Sequence, residues 1–502
     1  MSRPTTTLEK RLQSLEAHLQ QENPILLQAV SSFQKLDKVS RRMGFLDREE
    51  SYAARVPWWP LVAVLGVYSS GKSTFINHYL GYDLQRAGNQ AVDDKFTVIC
   101  FSDEQTARVL PGLALDADPR FPFYQISRSI EEIATGEGRR IDAYLQLKTC
   151  SSEQVRGKIL IDSPGFDADA QRTSTLRITN HIVDLSDLVL VFFDARHPEP
   201  GTMHDTLEHL VRNTINRPDS SKFLYILNQI DMTAREDNPE DIAASWQRAL
   251  AQQGLTAGRF YRIYNPDAAV PIEDDNLRIR FEAKRDADMA DIHARLYQVE
   301  VERAYRVMAI LEQTARDIEE QIVPKLRELM THWRRRVLWI DGSVIGTIIA
   351  LGIGWTLWTG QWTGLSFSHS FWTKLLSNPV WRWVSLGGAM VGAGYLHFMI
   401  RKGAATHIVR RLQRDLRPLE NLEFLGNITR AFRKNTRFWR SIFHKRPAGW
   451  SQGARNQLKA VLTEANAYVQ QLNDKFTNPS GVDPTTDNQT TAATTTEHVS
   501  AQ

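Results

Sequence analysis

Short apolar, β-branched runs recur through the first half of the chain, separated by segments of helical period. Residues 61–66 (LVAVLG), 158–161 (KILI), 188–193 (LVLVFF), 223–227 (FLYIL) and 260–264 (FYRIY) each read as a buried parallel strand. Stretches between them, such as 203–213, keep helical spacing, so the alternation predicts a doubly wound α/β sheet over roughly residues 55–270. Ahead of it, Leu8, Leu12, Leu15 and Leu19 fall on one helical face, and after Pro24 a second series runs through Leu27, Val30, Phe33 and Leu36. These are amphipathic helices for which core or coiled-coil packing is the default.

Beyond Asp274 the strands stop. Residues 281–336 place Met289, Ile292, Leu296, Val299, Leu311, Ile318, Ile322, Leu326 and Leu329 on one stripe, which predicts a long stalk helix kinked at Pro324. Two apolar runs follow, 337–360 and 384–400, the second extending back to Pro379. Each approaches the roughly 20 residues that a bilayer-spanning helix needs, and Trp339, Trp355, Trp358, Trp362, Trp381 and Trp383 stand near their ends. A buried hairpin in a soluble domain is the competing interpretation. Gly342, Gly346, Ala350 and Gly354 repeat every four residues, as do Gly388 and Gly392, so the two helices are expected to pack through small-residue faces, with oligomerisation the sharper alternative. Asp341 is expected to snorkel or cap.

Composition alone would hide this. The 502 residues include 61 basic and 58 acidic ones, a net charge of +3, with a mean hydropathy of −0.36. Those values suit two or three globular domains and exclude a collagen-like or wholly disordered chain. Residues 401–450, however, carry 13 Lys and Arg against Asp415, Glu420 and Glu423. Within them, Ile428, Phe432, Trp439 and Phe443 fall near one helical face ringed by cations. Such a segment either lies on an anionic leaflet, each cation contributing about 1 kcal/mol, or packs as a stalk helix. Nucleic acid is not expected, since no recognised binding fold accompanies the charge.

Arg334, Arg335 and Arg336 precede the first run and Arg401 and Lys402 follow the second, so the positive-inside rule places both termini in the cytoplasm. The N-terminus has no continuous apolar core, so no secretory signal is expected. Cys100 and Cys150 are too few for a disulfide scaffold and read as ordinary thiols. The Thr-rich tail over 477–502 is expected to be disordered.

The chemistry follows the first strand. Gly66-Val67-Tyr68-Ser69-Ser70-Gly71-Lys72-Ser73 is a GxxxxGKS loop opening a helix at Thr74. Its glycines let backbone N–H groups curl toward phosphates, Lys72 reaches the β and γ phosphates, and the Ser73 hydroxyl suits Mg²⁺. Asp162-Ser163-Pro164-Gly165 ends the second strand as a DxxG motif, in which Asp162 serves Mg²⁺ and the Gly165 N–H senses the γ-phosphate. Asn228-Gln229-Ile230-Asp231 ends a later strand, at the position whose aspartate pairs with guanine. Three motifs at carboxyl ends of strands stand where ligands bind in open α/β sheets.

These residues resemble the dynamin superfamily, including the G domain of the EH-domain-containing membrane-remodelling nucleotidases. The likeness rests on GVYSSGKSTFINHYLG, QAVDDKFTVI, LIDSPGF, LVFFDARH and LNQID, and covers about residues 55–265. The paired apolar runs add the layout of mitofusin-like and bacterial dynamin-like proteins. The resemblance implies an α/β P-loop GTPase domain over 55–274, N-terminal stalk or neck helices over 1–54, and a helical-bundle stalk from 275–336 and the basic 401–476. It also implies a transmembrane helical hairpin at 337–400, with spans near 337–360 and 380–400. It gives Ser69 the role of positioning attacking water. It aligns Asp93 with the family's switch threonine, leaving Thr97 as the nearest hydroxyl. Phe166 stands where Ras-like enzymes have glutamine, and Gln229 replaces the usual lysine.

The implied nucleotide-binding set is thus Gly66, Ser69, Ser70, Gly71, Lys72, Ser73, Thr74, Asp162, Gly165, Asn228, Gln229 and Asp231. Ser69, Lys72, Gly165 and Thr97 are the candidate catalytic residues, and Ser73 and Asp162 the Mg²⁺ ligands. GTP is the implied substrate. An anionic bilayer and further copies of the chain, through G domain and stalk, are the implied partners. The expected activity is GTP hydrolysis coupled to oligomerisation and membrane remodelling, tethering or fusion. The alternatives are a slow membrane-bound GTPase switch and an ATP-using EH-type nucleotidase.

Overall fold

The computed structural model describes residues 7–86, 95–120, 126–133, 135–165, 173–196, 219–235, 239–252, 254–255, 258–363, 366–367, 377–415 and 426–477. The expected helix over 203–213, Asp93, Phe166 and the tail from 478 lie outside these residues.

Eight strands, β1 (Leu61–Gly66), β2 (Phe96–Phe101), β3 (Arg108–Pro111), β4 (Leu145–Cys150), β5 (Ile159–Asp162), β6 (Leu188–Asp194), β7 (Phe223–Asn228) and β8 (Arg259–Arg262), form one sheet in the order β3-β4-β2-β5-β1-β6-β7-β8. From β5 across to β8 every pairing is parallel, and β1, β6 and β7 are buried at every position, as their apolar runs predict. The other half departs from the expected parallel sheet. β2 pairs antiparallel with β5, and β3 antiparallel with β4, so the sheet is mixed. Pattern reading passes over β3 because it is an exposed edge ending in Pro111. Both cysteines are buried and free, and burial pushes the Cys100 thiol up to about 12, in keeping with inert core thiols.

Helix α1 (Thr7–Glu22) and helix α2 (Pro24–Met43) part at the expected proline, which opens α2 where its missing N–H costs nothing. Helix α3 (Lys72–Leu80) follows β1. Contacts divide the chain into two compact units. One comprises Met1–Ala29, Ala54–Ala309 and Tyr468–Gln502; the other comprises Val30–Ala53 and Ile310–Ala467. In the first, Asp187 ties the sheet to the helix Asp275–Asp317: it accepts from the Leu61 N–H at 3.0 Å, from Arg306 at 2.6 Å and from Arg303.

In the second unit the helix Val323–Trp358 begins directly after a π-helical turn over Ile318–Ile322. Pro324 has no N–H to return to the preceding turn, and the widened turn absorbs that loss. This helix and Pro379–Asp415 carry the two apolar runs, both long and apolar enough to cross a membrane. Asp341 does not merely cap: its Oδ2 lies 2.7 Å from His397 Nδ1 on the other helix. The glycines are also not where spacing suggests. A Cβ built on Gly342, Gly346, Gly354, Gly388 or Gly392 would meet no atom within 4 Å, so these faces turn outward and do not seam the hairpin.

The amphipathic stretch 427–446 of the basic segment is only partly helical: a helix spans Ile428–Asn435 and buries Ile428 and Phe432, while Trp439 and Phe443 are exposed beyond its end. The cause is tertiary. Arg401 donates to the carbonyls of Arg437, at 3.2 Å, and Arg440, at 2.6 Å, fixing a turn where the amphipathic pattern alone predicts continued helix.

Candidate nucleotide-binding site

The loop between β1 and α3 is held by backbone geometry that its sequence permits. Gly71, immediately before α3, has φ 83°, and a Cβ there would come within 2.2 Å of Asn228 Nδ2. Glycine is required on both counts. Ser69 adopts φ 56°, a left-handed conformation unusual for serine, and its neighbours hold it there. Its carbonyl accepts from Gln229 Nε2 at 2.6 Å and from Arg196 Nη2 at 3.1 Å. The Ser70 carbonyl accepts from Asn228 Nδ2 at 2.9 Å, and Ser70 Oγ donates to the Val67 carbonyl at 2.8 Å.

Lys72 is buried and folded back, donating to the carbonyls of Gly66 and Val67, each at 2.9 Å. Burial lowers its pKa to about 8 against the opposing pull of Asp162. Ser73 and Thr74, half-buried, follow it in the first turn of α3, whose leading N–H groups have no intrahelical acceptors.

Asp162, buried at the end of β5, accepts from Gln85 Nε2 at 2.6 Å, and Gln85 in turn accepts from Lys148 at 2.5 Å. Gly165 lies so close to the loop that a Cβ on it would stand 2.4 Å from the Tyr68 ring. Asp231 is buried just past β7; its Oδ2 accepts from the Val270 N–H at 2.8 Å, and desolvation raises its pKa. Thr97 lies inside β2, fully buried, paired in register with Asp162, and its hydroxyl accepts from Gln146 Nε2 at 2.7 Å. In this conformation that hydroxyl is engaged within the sheet.

Spacing left three contributors unassigned. Arg196 clamps Ser69 while held by Asp194 through contacts of 2.7–3.0 Å, and the DAR sequence at the end of β6 is its only local signal. Gln85 reaches Asp162 from a loop with no motif of its own, and Tyr68 is a variable position of the phosphate loop.

A parallel strand, a glycine-hinged loop with a buried lysine and a helix N-terminus define a P-loop nucleotide-binding domain. Residues 62–230 match the Dynamin family model. Human EH domain-containing protein 1 is 28% identical over 184 residues, and human EH domain-containing protein 3 is 27% identical over the same length; each match covers 34% of this chain and 31% of the relative. The chain thus spans about a third of the length of these curated relatives. A solved bacterial dynamin pair, described as an oligomer for long-range sensing and tethering of membranes, superposes with a TM-score of 0.33 at 12% identity, covering 91% of this chain and 79% of that one. Over residues 62–230 the chain is thus similar to the G domains of the dynamin family.

Proposed function

We propose that this chain is a membrane-anchored dynamin-like GTPase that hydrolyses GTP to GDP and phosphate. It couples nucleotide-dependent oligomerisation to remodelling, tethering or fusion of a bilayer, with both termini cytoplasmic. The observation carrying the nucleotide half is the hydrogen bonding of Asn228 and Gln229 to the Ser70 and Ser69 carbonyls, which joins base-recognition motif and phosphate loop into one site. The anchoring half rests on two long apolar helices whose apolar side chains face outward.

With these carbonyls held by side chains, the first-turn amides of α3 face the phosphates, and the Lys72 ammonium exchanges its two carbonyl acceptors for phosphate oxygens. Mg²⁺ fits the donors present, because the Ser73 hydroxyl and Asp162 carboxylate are hard oxygens and this ion takes few protein ligands alongside phosphates. Bound there, it would neutralise phosphate charge. Water attacks the γ-phosphorus as the bond to the bridging oxygen breaks, and catalysis is positioning and charge stabilisation. Ser69 orients that water and the Gly165 N–H meets the γ-phosphate.

Purine choice admits a second reading. Gln229 turns to the loop, at φ 63°, where a lysine stem would cover the base, and this favours weaker guanine discrimination and use of ATP. Turnover of GTP and ATP by the purified chain decides between them. A Lys72→Ala variant with unaltered turnover of both would reject the site.

A further inference from the structure

The helix Pro379–Asp415 and the segment after Asn427 enclose a cavity of about 380 Å³ whose walls divide by chemistry. Phe398 and Phe438 form an apolar side, meeting edge to face with ring centroids 6.5 Å apart. Arg401, Lys402 and Arg433 form the other, and among the described residues no carboxylate lines it. Arg401 is locked in place. It is buried, lies over the Trp333 and Phe398 rings at 5.3 and 5.5 Å, and donates to the Arg437 and Arg440 carbonyls, yet its Nε has no acceptor among the described residues.

Asp341 acts on Arg401 from outside the cavity, but three cations around a space with no carboxylate among its described lining residues favour an anion. The location says which kind. Phe398 belongs to the second apolar run and Arg401 is the first cation beyond it, so the cavity lies at the polar boundary of that run. Phe438, Trp439 and Phe443 stand exposed on the other wall's segment, as aromatic side chains do at a headgroup layer. A soluble anion would satisfy the cations and leave Phe398 and Phe438 in water, whereas a phospholipid satisfies both walls.

We infer that this cavity binds one anionic phospholipid, its phosphate among Arg401, Lys402 and Arg433 and the start of an acyl chain along Phe398 and Phe438. This rests on the membrane-anchored reading and adds headgroup selectivity to it.

The test uses the full-length protein in a neutral detergent, titrated with short-chain phosphatidylglycerol, short-chain phosphatidylcholine or inorganic phosphate and followed by native mass spectrometry. Phosphatidylglycerol is expected to bind 1:1 and at least tenfold tighter than phosphatidylcholine, with no retained inorganic phosphate. The double variant Lys402→Ala, Arg433→Ala changes exposed side chains only and should lose that preference. Lys445→Ala, a cation of the same segment outside the cavity, should keep it. Equal binding of the two lipids, retention of inorganic phosphate alone, an unchanged double variant or an equal loss in Lys445→Ala would each overturn the assignment. Failure of the anchoring reading is distinguishable, because carbonate would then strip the wild-type protein from membranes, which failure of the cavity alone would not cause.

Discussion

Strand β6 and the apolar run 337–358 of the helix Val323–Trp358 are both strongly apolar and oppositely exposed. Along β6, Leu188 and Phe192 are 0% exposed, whereas Leu351 is 68% and Trp358 81% exposed. Only 6% of the most apolar window of the first long helix, and none of the second, is covered by protein. At about 25 cal/mol per Å² of apolar surface, a water-exposed hairpin of that kind would carry a large penalty. On the proposed anchoring, its solvent is lipid. One hydrophobic pattern thus has two placements: in the sheet it is buried beneath the nucleotide loop, and in the hairpin it is exposed, as the proposed anchoring requires.

One charge placed in each region separates the two most strongly. Val191→Asp buries a carboxylate in the sheet and should cost more than about 4 kcal/mol, abolishing soluble, nucleotide-competent protein in a thermal-unfolding assay. Leu351→Asp should instead cost about 2.5–3.5 kcal/mol of insertion, read as loss of carbonate resistance, with the melting of the G domain unchanged. If Leu351→Asp unfolds the G domain, the hairpin is a protein core and the comparison fails. Lys72→Ala provides the converse: turnover falling at least about 100-fold, or roughly 2.7 kcal/mol, with membrane retention intact.

The pH dependence is a subtler probe. Lys72 titrates near 8 in the free protein, below its ordinary value, and the triphosphate binds its charged form. Affinity should therefore be flat below pH 8 and fall as pH rises above it, by up to about tenfold per unit, with proton uptake on binding. Stability of the nucleotide-free domain should rise over the same range, because between about 8 and 10.5 the unfolded chain binds the extra proton. Calorimetry in buffers of different ionisation enthalpy measures the uptake, and a Lys72→Arg variant should bind independently of pH. The smallest effect belongs to Gln229→Ala. Removing one hydrogen bond to the Ser69 carbonyl should weaken nucleotide binding about fivefold, near 1 kcal/mol. Unchanged affinity would mean that Arg196 alone holds that peptide.

Much of this was legible in the sequence because it depends on neighbours along the chain. The loop, Asp162 and Asn228 follow strands whose apolar runs are unmistakable, and Pro24 marks a helix start as its ring dictates. What was not legible depends on distant partners. The antiparallel β2 and β3 are set by pairing across the sheet, and no spacing reveals that Gln85 reaches Asp162 or that Arg196 reaches Ser69. Residues 427–446 read as one helix until Arg401, from the helix Pro379–Asp415, takes their carbonyls. The glycine repeats were visible but their direction was not, since a four-residue period fixes a face without saying which neighbour it meets.

The most direct test joins both regions: hydrolysis of GTP per molecule by the full chain reconstituted in anionic liposomes, measured across a range of protein-to-lipid ratios. A dynamin-like machine anchored by its hairpin should show specific activity rising with surface density and exceeding that in detergent. Specific activity independent of density, and equal in liposomes and detergent, would contradict it.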